Sequence, residues 1–214
     1  MSPLVLGHDF CLRQLTHFQR MHRYLEPSTY IDFENPDVTS VAKELAEGVS
    51  SELELVERCF SFVRDEVKHS VDYKLNPVTC KASDVLEHRT GYCFAKSHLL
   101  AALLRANGIP TGLCYQRLPF GSGYVLHGLN AVFLQDFGWY RIDARGNKAG
   151  IDAQFSPPRE QIAFQVKGGG ARDLPEIWAV PLPVVVEALE RYETYDEVLA
   201  NLPDVEVTVA VRTD

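Results

Sequence analysis

The chain has 214 residues, 46% of them hydrophobic and 23% charged, enough to bury one ordinary core, so one domain is the simplest reading and disorder is excluded. Its formal charge is −8, and its Lys and Arg residues are spread rather than clustered, which argues against nucleic-acid backbone binding. The first 25 residues lack the basic, apolar and small-residue order of a secretory signal, and no run approaches a membrane span, so no membrane association is expected.

In chain order, Phe10 to Leu25 has apolar residues near one helical face and ends at Glu26-Pro27. Helix signals resume after Asn35-Pro36, with Val38, Val41, Leu45 and Val49 at helical spacing. They resume again at Ser51, where SELE resembles a capping box, and run to about Lys68. These segments predict an N-terminal helical layer. Residues 69–82 have no clear period and contain Asn76-Pro77, which predicts a surface loop. Ser83 or Asp84 then caps a short helix to His88, ended by Arg89, Thr90 and Gly91.

From Tyr92 to Asn107 nearly every face is apolar, and Gly108-Ile109-Pro110 supplies the stop, so this helix should be central and buried. Extended stretches follow at Gly112–Leu118, Val125–Leu134 and Trp139–Asp143, the last two joined through QDFG, with a fourth at Gln161–Val166 before three glycines. The sheet should be mostly antiparallel. The tail reads as two helices, LPVVVEALERY and TYDEVLANL, and a final extended EVTVAVR.

Five cysteines, Cys11, Cys59, Cys80, Cys93 and Cys114, have irregular spacing and no CxxC pair. That pattern implies a reducing cytoplasm and no structural zinc site, and no other metal or cofactor is expected. Cysteine is usually a packing residue. Cys93 differs by position: a helix start offers unpaired N–H groups and the positive end of the dipole, which favour an anionic sulfur. Position alone leaves packing and catalysis open.

A nucleophilic cysteine needs a base, and the base needs an orienting group. His127 lies in the alternating strand YVLHGLNAVFL, sharing a face with Leu129, Ala131 and Phe133, and Asp143 ends GWYRID. The bland readings are a core histidine and a strand-end cap. A tight hairpin through Gln135–Gly138 would set Asp143 opposite roughly Ala131, on the order of 13 Å from His127 along the strand. Their meeting requires a longer loop, a bulge or strong coiling.

RTGYCFAKSHLLAALLRANGIP, then His127, then GWYRID resemble the transglutaminase-like superfamily of papain-like cysteine enzymes over roughly residues 51–145. FVRDEVKH resembles the helix preceding the site, SDVLEHRTGYC the approach to the nucleophile, and LLRANGIPTGL the exit into a strand. The chain departs at Leu129 and Ala131, where many members carry an aromatic and then an acidic residue.

The resemblance implies an α+β papain-like/transglutaminase-core fold in a single domain, with a helical layer over 1–50, a core over about 51–145 and an extension over 146–214. It implies Cys93 as nucleophile, His127 as general base and acid, and Asp143 as its orienting residue. His69 and Tyr73 are then candidates for the second oxyanion donor, and Tyr92 for the groove. The implied substrate is a peptide or protein amide, attacked to give a Cys thioester that passes to water, slightly preferred, or to an amine acceptor. The contrasting class is a scaffold that keeps the fold and only captures peptides. A third use of the same residues, as zinc ligands, is disfavoured by the lack of short-range ligand pairs.

Overall fold

The structure, a computed structural model, describes residues 21–205. Most of the expected Phe10–Leu25 helix and the final EVTVAVR lie outside the described residues. The first full helix, α1, spans Pro36–Ala46 and is started by Asn35, whose side chain accepts from the N–H groups of Asp37 and Val38. Val49 falls beyond it, because the chain turns at Gly48 with φ 67°.

Helix α2, Glu52–Ser61, begins as SELE predicts, with Ser51 Oγ accepting from Glu54 N at 3.2 Å. The Glu54 carboxylate reaches Ser50 rather than Ser51, so the reciprocal half of the box is displaced by one residue. The expected continuation to Lys68 is broken: a π-helical turn occupies Phe62–Glu66. Residues 69–82 are likewise not a plain surface loop. Lys68–His69 (β1) pairs in parallel with Thr90–Gly91 (β2), and Ser70–Tyr73 forms a short helix, α3. Ser70, Thr79 and Thr90 are buried and joined by hydroxyl hydrogen bonds. Elements this short leave no period to read.

Helix α4, Ala82–His88, is capped at Lys81 and so starts two residues earlier than a Ser83 cap, and three earlier than an Asp84 cap, would require. Its exposed N–H end is served from a distance by Asp32, which accepts from Ser83 N and Ser83 Oγ. Arg89, in the left-handed region at φ 51°, ends it.

Helix α5, Cys93–Ala106, is the centre of the molecule, with thirteen of its fourteen residues buried. It packs on an antiparallel sheet of order β5-β4-β3-β6, in which β3 is Thr111–Phe120, β4 Gly123–Leu134, β5 Gly138–Ile142 and β6 Arg172–Asp173. Gln161–Val166 is not the fourth strand. It lies over the sheet, Ile162 packing with Cys114, Leu129 and Ala131, while Arg172–Asp173 pairs with β3. Alternating apolar residues report one buried side whether or not the backbone joins a ladder.

The two faces of β4 are covered differently. Leu126, Val132 and Leu134 share one core with α5, whereas Leu129 and Ala131 meet the covering segment on the other face. Helices α6, Pro183–Arg191, and α7, Tyr195–Ala200, match the two expected tail helices.

Candidate active site

Cys93 is the first residue of α5, with Tyr92 as its cap residue, so its backbone N–H is one of the helix's unpaired donors. It is 8% exposed and opens on a cavity of about 540 Å³. Gly128 of β4 passes close enough for its N–H to point at Cys93 Sγ at 3.4 Å. Only glycine allows this approach, since a Cβ at 128 would lie 2.8 Å from the Phe94 ring and 3.1 Å from its Cα.

His127 is 4% exposed, and its Nε2 meets Asp143 Oδ2 at 2.8 Å. With Nε2 taken, Nδ1 is the ring nitrogen left for Cys93, which lines the same cavity. The expected 13 Å separation does not occur, because β4 and β5 are joined by a three-residue turn, 135–137, in the register Asn130↔Ile142. One position further, Asp143 falls beside Leu129 rather than Ala131, a diagonal neighbour of His127 that side chains can span.

Burial alone would drive the His127 proton off. The Asp143 carboxylate and the Cys93 sulfur more than offset it and raise the imidazole to about 10. Burial likewise opposes the charge on Asp143, yet its carboxyl is held below the usual range by His127 and by two backbone donors. Those donors are Arg145 N at 3.1 Å and Ala163 N at 3.0 Å. The Phe164 ring then stands edge-on to His127, with centroids 4.8 Å apart. Cys59, Cys80 and Cys114 have no such company, and burial pushes each thiol up to about 12.

Of the groove candidates, His69 lines the cavity, is 7% exposed, and has a buried Nδ1 without a hydrogen-bond partner. Burial first, and then the Arg145 cation, hold it well below the ordinary histidine range, so the ring is neutral. Tyr92 also lines the cavity and donates its hydroxyl to Tyr195 O. Tyr73 is 55% exposed under the Lys68 ammonium and lines a separate recess of about 130 Å³.

Several residues at this site were not singled out from sequence. Lys96, one turn along α5 from Cys93, is fully buried, and its ammonium donates to Val67 O and Arg64 O at the end of the π turn. Burial, then Arg145, lower it to about 7. A lysine inside a helix apolar on every face was the available signal, because a buried ammonium must find acceptors. Ala163 acts through its backbone, so its side-chain type carries no signal. Arg145 and Asp72 form a two-pronged ion pair at 2.8 and 3.1 Å, and Lys148 joins the same carboxylate.

Residues 39–144 match the profile of the transglutaminase-like superfamily. No curated protein sequence matches the chain. Among solved structures, a candidate cysteine protease from Cytophaga hutchinsonii is 21% identical, with a TM-score of 0.49 over 59% of this chain and 42% of its own. The periplasmic domain of TgpA from Pseudomonas aeruginosa is 22% identical, with a TM-score of 0.45 over 58% of this chain and 48% of its own. The chain thus spans less than half of either structure.

Proposed function

Because residues 39–144 belong to the transglutaminase-like superfamily, with its α+β fold of a cysteine-bearing helix on an antiparallel sheet, we propose that this protein is a cysteine enzyme acting on carboxamides. Cys93 is the nucleophile, His127 the proton carrier and Asp143 its orienting partner. The observation that carries this reading is the grouping itself: Asp143 bonded to His127 at 2.8 Å, with His127 and Cys93, the latter at the start of α5, lining one cavity.

In the first step the Cys93 sulfur attacks the amide carbon, a C–S bond forms, and the carbonyl electrons move to oxygen. The Cys93 N–H stands at the developing oxyanion, with neutral His69 as the second donor. The tetrahedral adduct collapses as His127 gives its proton to the departing nitrogen, leaving a thioester and free amine or ammonia. Water, deprotonated by His127, then attacks the thioester and releases the acid and Cys93. A cavity of about 540 Å³ has room for water beside an acyl group, as hydrolysis requires, and no feature of the sequence marks a dedicated site for an amine acceptor.

Four unpaired cysteines among the described residues support a reducing, cytoplasmic setting. No helix among those residues is long and apolar enough to cross a membrane.

The test is acid-quenched mass spectrometry after mixing with an activated ester, p-nitrophenyl acetate, with and without hydroxylamine. The expected result is acetyl on Cys93, absent in Cys93→Ala, cleared slowly in His127→Ala and captured by hydroxylamine. Acylation spread over other residues, or no acyl-enzyme at Cys93, would return the protein to the peptide-capturing scaffold reading.

A further inference from the structure

The cavity that holds Cys93 is charged against the rest of the protein. The chain carries −8 overall, yet the charged side chains lining this cavity, outside the Cys93–His127 pair, are Arg145, Lys148, Lys167 and a single acid, Asp72. Three cations against one carboxylate leave two positive charges.

The carboxylate is already committed. Arg145 takes both Asp72 oxygens, and the pair is buried, at 8% and 13% side-chain exposure. Lys148 shares one of those oxygens while remaining 46% exposed. One carboxylate neutralises one cation, so the Lys148 charge remains uncompensated beside the cavity. Lys167 brings a further cation on the segment that covers His127.

The placement is also rigid. Arg145 follows Asp143 by two residues and donates its backbone N–H to Asp143 Oδ1, so a single turn sets the orienting carboxylate and the cation. The remaining wall is apolar, built from Leu118, Phe120 and Val125 near the β3–β4 turn and from Leu199 and Leu202 at the end of α7.

We propose that the acyl donor is an acidic peptide segment: a carboxylate close to the scissile amide is received by Lys148 and Lys167, and an apolar neighbour lies on the leucine wall. An acidic protein repels such a ligand at long range, so selection rests on the short-range field of Lys148 and Lys167 at the cavity. This inference rests on Cys93 being the nucleophile, as proposed above.

The test compares the alkylation rates of Cys93 by iodoacetate, an anion, and iodoacetamide, its neutral counterpart, each followed by peptide mass spectrometry. The quantity read is the ratio of the two rates, in wild type, in Lys167→Met and in the Lys148→Met/Lys167→Met double variant. At low ionic strength the ratio should fall about fivefold in the double variant, the size expected of removing two cations several ångströms away near a protein surface. It should fall by a smaller factor in Lys167→Met, which lies on the exposed side and leaves the Asp72 pairs intact. In wild type it should also fall as salt is raised. A ratio unchanged by both variants and by salt would overturn the inference while leaving the nucleophile in place. Failure of either reagent to reach Cys93 in folded protein would overturn the nucleophile reading, and this one with it.

Discussion

The two faces of β4 solve different problems. Toward α5, Leu126, Val132 and Leu134 are held by a helix buried along its length, and Gly128 brings the backbones into contact. On the other face His127, beside Leu129 and Ala131, is covered by a segment outside the main ladder, with Ala163 N–H on Asp143 and the Phe164 ring on His127. Cys93, the proposed nucleophile, is therefore positioned by bulk packing, and His127, the proposed proton carrier, by a few directed contacts. Damage to the first face should cost stability, and damage to the second should cost chemistry.

The largest expected effect lies on the second face. His127→Ala should lower acyl transfer by about 10²- to 10⁴-fold, the usual worth of a general acid–base, and should also cost stability at neutral pH, because the buried Asp143 carboxylate loses its cation. Steady-state rates beside urea melts separate the two. A large loss of stability with little loss of rate would reverse the comparison.

Next comes the first face. Gly128→Ala forces a methyl group against Phe94, including its backbone, and should cost about 1–3 kcal/mol in urea unfolding. Acylation of Cys93 should slow as well, because β4 must move away from the start of α5.

A substitution in the covering segment is subtler. Ala163→Pro removes the N–H that Asp143 Oδ2 accepts, a bond to a charged group worth about 1.5–3 kcal/mol. The expected sign is a fall in kcat with little change in KM, since Asp143 acts through His127. Phe164→Leu should be smallest, about 0.5–1.5 kcal/mol from the lost edge-on ring contact. A KM effect without a kcat effect there would mean that the ring serves the substrate rather than the imidazole.

Acidity separates two histidines at the same cavity. The imidazole of His127 is raised to about 10 from an ordinary value near 6.5, so the folded state holds its proton more tightly than the unfolded chain. Its contribution to stability is fully present below about pH 6.5 and is lost as pH rises toward 10. His69 is held well below its ordinary range, so its contribution is present above about pH 6.5 and is lost as pH falls. Urea melts from pH 5 to 10 should show the alkaline loss shrink in His127→Ala and the acid loss shrink in His69→Gln.

Much of this was legible in the sequence where periodicity speaks. The all-apolar run after Tyr92 matches α5, the alternation through YVLHGLNAVFL matches β4, and the order of Cys93, His127 and Asp143 carried the family resemblance from which their roles are proposed. The distance between His127 and Asp143 was misjudged because strand register depends on turn length. The three-residue turn carries the ladder on so that Asp143 falls opposite Leu129, two positions nearer His127 than the Ala131 expected from a tight hairpin. The apolar pattern of Gln161–Val166 correctly signals a buried side but not what pairs with it, which is why Arg172–Asp173 took the fourth strand position. Tyr73, close to His69 in sequence, faces another recess, because the short helix α3 turns it away.

The claim that Cys93, His127 and Asp143 act as one unit is tested most directly by an NMR titration of the His127 ring in wild type and in Cys93→Ala. The account predicts an imidazole that stays protonated through neutral pH and titrates near 10, and that loses its proton at clearly lower pH once the sulfur is removed. An imidazole that titrates near 6.5 in both proteins would contradict it.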